Sequence, residues 1–281
     1  GVTLSPWNDG YIVASTLGIQ AYGFDSDGNY SGPLISDGFT YGAGSTRLHS
    51  LEMDPVDPSL LYGVLETNGY GNRIVAIHED GTLVQDFDAS LGQSAGLDVF
   101  RLGNGDYFYL GWKNCGGLGG GWDTRYSLYD GNGQVLNHTE DCEICSCVGS
   151  SCDFGDETLQ RIIPRGDDFI LIGDRNEGGT GCYAPSPGQY MVRVDSNMNA
   201  TTELDGWDTG AHGDLTAGFF HEGVTVIGGF SADINNTYNR PLVRALDENL
   251  NISWEWTHEN SDNQRVYDLL FYDNTIVVYS V

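Results

Sequence analysis

Lysine is almost missing. The chain of 281 residues has one, Lys113, and its 12 basic residues face 40 acidic ones for a net charge of −28. Such a surface repels phosphate polymers, which excludes nucleic acid and anionic lipid as partners. Long apolar runs are missing too, none approaching the ~18 residues that a bilayer-crossing helix requires. The sequence opens at Gly1 with neither methionine nor a charged-then-apolar leader, the expectation for a soluble, processed or trimmed chain. Also absent are G-x-S-x-G, H-E-x-x-H, the P-loop and the aspartate box S-x-D-x-G-x-T-W. Histidines 49, 78, 138, 212, 221 and 258 are scattered without metal-ligand spacing. A glycosidase or lyase built on carboxylates needs none of these motifs, because its acids have only to meet in space.

What is plentiful is glycine, with 40 residues, beside 16 tyrosines and 11 phenylalanines, a turn-rich and strand-favouring composition. Apolar runs recur behind an acidic, glycine or proline turn: "YIVAS" after Asp9-Gly10, "LLYGV" after Pro58-Ser59, "YFYLG" after Gly105-Asp106 and "FILIG" after Asp167-Asp168. "VTVIGG" after Glu222-Gly223 and "TIVVYS" after Asp273-Asn274 complete the series. All but the last lead to a second strand that ends in a turn: "AYGFDSDGN", "IVAIHEDGT", "YSLYDGNGQ", "MVRVDSNMN", "VRALDENLN". Asn, Asp and Gly tolerate the positive φ that such hairpin turns use. With a short strand after the turn and another before each run, the unit is four strands, the pattern of a β-propeller blade. The expectation is one all-β propeller domain over 1–281, made of four-stranded antiparallel blades. Six blades are favoured, with the last incomplete at two strands, and five are the alternative. An unfinished blade leaves an edge that its own N-terminal blade or a neighbouring subunit's strand would close.

The strand-turn-strand "VRALDENLNISWEW", residues 243–256, resembles the repeat of secreted quinoprotein-like and bacterial surface propellers. The resemblance implies fold. The quinone-dependent members carry the tryptophan of this motif in most blades, whereas here one repeat has it, so their cofactor is not expected.

Four cysteines lie in eleven residues: Cys142, Cys145, Cys147 and Cys152, in a Cys-rich inter-blade loop at 140–156. Strand alternation sends this loop and the loops holding Cys115 and Cys182 out of one face. Six cysteines on one rim of an exported protein read as three disulfides of unassigned pairing. Zinc is the rival, since C-x2-C-x-C-x4-C offers enough thiolates for a tetrahedral site.

Other candidates are spread along the chain. Asp25, Asp27 and Asn29 alternate oxygen ligands as a Ca2+ loop does, but Ser36 stands where an EF-hand needs a bidentate acid, so a hairpin turn is the competing and favoured reading. On the first of these readings Ca2+ is a cofactor. Counting back from each apolar run places His49, Asp98, Arg161, Thr216 and Asp268 at comparable places facing a central channel. Asn29, Asn137, Asn199, Asn235 and Asn251 begin Asn-x-Ser/Thr triplets that accept glycans in exported proteins. The functional expectation is a secreted or cell-surface binding or structural module, with a glycan, a protein or another copy of itself as partner and self-assembly into a larger surface structure or filament as one version. The alternative is a carbohydrate-active enzyme that uses loop carboxylates, with Trp112, Trp122 and Trp207 as the sugar platform.

Overall fold

The computed structural model describes residues 2–7, 10–15, 20–25, 27–35, 46–67, 71–78, 82–89, 94–114, 122–139, 156–176, 188–205, 213–232, 239–258, 264–272 and 274–280. All six cysteines, Asn235 and Trp207 lie outside them, and so do the expectations placed on them. Among the described residues every regular element is a strand. The sheets are antiparallel meanders in chain order. The first comprises β1 Val2–Trp7, β2 Gly10–Ser15, β3 Gln20–Phe24 and β4 Tyr30–Ile35. The second has β5 Thr46–Met53, β6 Leu60–Thr67, β7 Gly71–His78 and β8 Leu83–Asp88, and the third β9 Ser94–Arg101, β10 Tyr107–Asn114, β11 Trp122–Tyr129 and β12 Val135–His138. The fourth has β13 Asp156–Arg165, β14 Asp168–Asn176, β15 Gly188–Val194 and β16 Ala200–Asp205, and the fifth β17 Gly213–His221, β18 Val224–Ala232, β19 Asn239–Leu246 and β20 Ile252–Thr257. The sixth has two strands, β21 Val266–Tyr272 and β22 Thr275–Ser280.

The chain clusters into two compact units, residues 1–111 with 126–138, and 112–125 with 139–281. In the first, Tyr62, Val64, Ile74, Val99, Tyr107, Tyr109 and Tyr129 form one buried cluster. In the second, Ile163, Ile170, Ile172, Met191, Leu215, Ile227, Leu246 and Leu250 form another. Middle strands such as β7, β15 and β19 are buried along most of their length because both faces are covered, and the fourth strands β12 and β20 are exposed throughout.

One hairpin turn recurs. Asp130 accepts from the backbone N–H of Asn132 and Gln134 at 2.9 and 2.8 Å, Asp195 from Asn197 and Asn199 at 2.9 and 2.8 Å, and Asp247 from Asn249 and Asn251, both at 2.8 Å. Asp25 does the same with Asp27 and Asn29, at 3.0 and 2.8 Å. Hydrogen bonds to the ionised form hold all four carboxyls below the usual aspartate range, in Asp25 and Asp247 led by the Asn29 and Asn251 side chains and in Asp130 and Asp195 by the Gln134 and Asn199 backbones. The fourth residue of the turn takes positive φ, as glycine at Gly28 and Gly133 but as Met198 and Leu250 in the second unit, where both are buried. Packing of those two side chains outweighs the cost of roughly 1 kcal/mol for left-handed backbone in a non-glycine residue.

Candidate functional site

Four first strands share an irregularity. In β5 the pairing with β6 skips His49, in β13 it skips Gln160, in β17 it skips Thr216 and in β21 it skips Tyr267. Each is a β-bulge, in which one residue has no partner across the ladder and its side chain is re-aimed. The recurring triplets are Leu48-His49-Ser50, Leu159-Gln160-Arg161, Leu215-Thr216-Ala217 and Val266-Tyr267-Asp268.

In the second unit these bulges gather polar groups. Gln160 Nε2 donates to both carboxylate oxygens of Asp214, at 3.1 and 3.0 Å. Thr216 Oγ1 donates to the Val266 carbonyl. One residue on, Arg161 Nη2 donates to Asp268 Oδ1 and Oδ2 at 3.3 and 3.5 Å, a pair with little exposure on either side. Arg265 lies over the Phe230 ring at 4.3 Å, and with the Asn239 amide turned to satisfy both groups its Oδ1 accepts from Arg265 Nε and Nη2 at 3.2 Å. Behind them Gln189 Nε2 donates to the Phe230 carbonyl at 3.1 Å and its Oε1 accepts from Arg244 Nη1 at 2.6 Å. A Cβ on Gly229 would lie 1.8 Å from the Asp214 carbonyl oxygen, so only glycine lets β18 approach the strand that carries Asp214.

Asp214 has the unusual electrostatics. Burial pushes its carboxyl up to about 6, against the Gln160 amide and the Arg265 charge that pull it down. A carboxylic acid that keeps its proton toward neutrality can donate a hydrogen bond or a proton, and the next first strand carries a second acid, Asp268, paired with Arg161. Tyr267 is 42% exposed at its bulge, its ring centroid 6.2 Å from that of Tyr279.

The residues expected to face a channel divide between the units. Arg161, Thr216 and Asp268 come together in the second. In the first, His49 Nε2 lies 2.7 Å from Glu66 Oε2, and Asp98 is buried and accepts from the Val99 N–H at 3.0 Å. His49 and Thr216 occupy the bulge itself, whereas Arg161 and Asp268 stand one position further on. Gln160, Asp214, Arg265 and Tyr267 escaped the sequence reading because counting from an apolar run carries no information about a skipped residue. The apolar-polar-x triplet is the signal that would have found Gln160 and Tyr267.

Asp25, proposed as a Ca2+ ligand with Asp27 and Asn29, directs its carboxylate at turn donors, including Asn29 Nδ2 at 3.0 Å. No group of three metal-ligating side chains occurs among the described residues. Asn29, Asn137, Asn199 and Asn251 are exposed. Three of them close the recurring turn: Asn199 and Asn251 donate Nδ2 to Asp195 and Asp247, at 3.1 Å in each case, as Asn29 does to Asp25. Thr201 and Ser253, two residues on, donate back to the Arg193 and Ala245 carbonyls at 3.2 and 3.0 Å. The Asn-x-Ser/Thr triplets at 199 and 251 are therefore part of the hairpin's own bonding. Trp112 donates Nε1 to the Leu159 carbonyl at 3.3 Å and is half-buried, positioned to brace β13.

No family model matches the chain, and no curated protein does. Solved structures do match. An endo-1,4-beta-xylanase of Bacteroides thetaiotaomicron is similar over 99% of this chain and 93% of its own, with a TM-score of 0.51 and 10% identity. A protein of Bacteroides fragilis described as exported matches over 90% and 70%, with a TM-score of 0.51 and 10% identity. A neuraminidase-like protein of a little yellow-shouldered bat isolate matches over 94% and 83%, with a TM-score of 0.50 and 11% identity. At these identities the likeness establishes fold: the chain is all-β, built of four-stranded antiparallel sheets of the propeller type.

Proposed function

We propose that the protein is an extracellular binding module whose ligand site is the bulged end of the first strands in the second unit, and that the ligand is a hydroxyl-rich glycan. The observation that carries this reading is the pairing of Gln160 with Asp214 and of Arg161 with Asp268 between first strands, with Tyr267 exposed at the bulge of β21. Paired amide, carboxyl and guanidinium groups suit the alternating donors and acceptors of a sugar, and an exposed aromatic ring suits its apolar face. Export is supported by the description of one structural neighbour and by the strongly acidic composition.

A hydrolase is the second reading, favoured by Asp214. An acid raised to about 6, with a second carboxyl group, Asp268, on the next first strand, supplies the two carboxyl groups a glycosidase needs, and one neighbour is a xylanase. Titration of a soluble oligosaccharide panel by calorimetry tests both. The binding reading predicts saturable affinity for at least one oligosaccharide, weakened roughly tenfold by Tyr267→Ala. Absence of binding across the panel, or binding that ignores Tyr267→Ala and Gln160→Ala, rejects the site. Release of reducing ends that Asp214→Asn abolishes moves the protein to the enzyme class.

A further inference from the structure

Acid outnumbers base so heavily in this chain, 40 residues to 12, that an arginine does not lack a carboxylate partner for want of supply. Arg73, Arg101, Arg161, Arg193 and Arg244 each meet one. Arg265 is placed differently. It is exposed, just ahead of β21, and among the described residues no carboxylate lies within ion-pair distance of it. Two other neighbours fix its guanidinium, the Phe230 ring under its face at 4.3 Å and the Asn239 Oδ1 that accepts from Nε and Nη2 at 3.2 Å. Those contacts use the face and one edge of a planar group with five N–H donors. The other edge, formed by Nη1 and Nη2, is one that a carboxylate engages with two parallel hydrogen bonds.

The fork lies at the bulged strands. Phe230 pairs across the ladder with Asp214, Asn239 opens β19, and the Arg265 charge is close enough to pull the Asp214 carboxyl down. A role confined to steadying Asp214 would put a guanidinium donor on that carboxylate. Both Asp214 oxygens accept instead from Gln160 Nε2, at 3.1 and 3.0 Å. Arg265 and Tyr267 are both exposed and two residues apart, at most about 7 Å between their Cα atoms, a separation that suits a carboxylate and the sugar ring that bears it. Because ring and amide already hold the long side chain, a ligand that meets it does not have to order it first.

We infer that the glycan taken by the bulged strands is acidic, and that Arg265 recognises the carboxylate of a uronic acid residue through Nη1 and Nη2 while Phe230 and Asn239 hold the fork in place. This rests on the glycan-binding reading of the same strands and narrows it. The field of a chain with net charge −28 opposes any anion at a distance, but salt screens it beyond roughly 8 Å at physiological ionic strength. A preference for an acid over its neutral form therefore has to arise from a contact made at the site. The same field disfavours long polyuronates, so the fitting ligand is a short oligomer.

The test is calorimetric titration of the intact protein, at one fixed ionic strength, with tetramers of galacturonate, mannuronate and glucuronate and with the fully methyl-esterified form of each. Esterification removes the charge and leaves the hydroxyls. At least one acid is expected to bind saturably, and its ester at least about tenfold more weakly. Arg265→Gln, at an exposed position, is expected to unfold as cooperatively as the parent and to bring acid and ester to equal affinity. Arg265→Lys, which keeps the charge and loses the fork, is expected to retain part of the preference. An ester that binds as tightly as its acid, or a preference that survives Arg265→Gln, overturns the inference. Binding of neutral oligosaccharides with no acid bound also overturns it and leaves the glycan site standing. Binding of neither kind removes both.

Discussion

Single aspartates set both the turns and the electrostatics of this protein. Asp247 stabilises its hairpin by accepting two backbone N–H groups, so Asp247→Ala is expected to lower the midpoint of thermal unfolding while Asp247→Asn, which keeps an acceptor, lowers it less. Leu250 combines positive φ with burial, which makes its two replacements informative. Leu250→Ala keeps the strain and loses the packing, at an expected cost of about 2–4 kcal/mol in denaturant unfolding. Leu250→Gly relieves the backbone and is expected to cost less. Asp214 predicts a pH dependence of its own. Its carboxyl titrates at about 6 in the folded protein against an ordinary 3.8, so between those values the folded state holds a proton the unfolded chain has released. Its contribution to stability therefore falls as pH rises from about 4 to about 6 and is level above that. The turn aspartates act oppositely and further into acid: their lowered values give stability present above the unfolded value and lost as pH falls through the folded one. Asp214→Asn is expected to remove the decline between pH 4 and 6 and leave the acid limb in place.

At the scale of strands, the bulge is the device that makes a site from a repeat. Four first strands skip one residue at the same place, and in the second unit that residue or its successor reaches the next first strand or the one beyond it. Arg161 and Asp268 tie β13 to β21, and Asp268→Ala, which removes that tie, is expected to lower the midpoint of denaturant unfolding. Gly229 sets how closely β18 lies to β17, so Gly229→Ala is expected to displace Asp214 and move its titration, read by the same pH–stability profile. Much of this element level was legible beforehand. The apolar runs became second strands β2, β6, β10, β14, β18 and β22, and the Asp/Asn/Gly segments became the hairpin turns, because continuous apolar runs and turn chemistry are local properties. The bulges were not legible, since an unpaired residue is defined by the strand opposite and not by its own neighbours. That displacement is why His49 and Thr216 aligned with Arg161 and Asp268 when counted along the chain.

For the molecule as a whole, composition was the better guide. Few lysines, many glycines and aromatics and repeated short strands indicated a propeller-type all-β chain, and the solved structures it resembles share that fold at about 10% identity. Side-chain partnerships between sheets, such as Gln160 with Asp214 or Trp112 with the Leu159 carbonyl, depend on three-dimensional neighbours more than thirty residues away in sequence and left no local trace. The central claim is that the bulged first strands of the second unit form the ligand site. Backbone amide shift mapping, with the best-bound oligosaccharide titrated into isotopically labelled protein, tests it most directly. The account predicts saturable perturbations concentrated at residues 159–161, 213–217 and 265–268. Perturbations confined to the outer strands β12 and β20 or to the hairpin turns would contradict it.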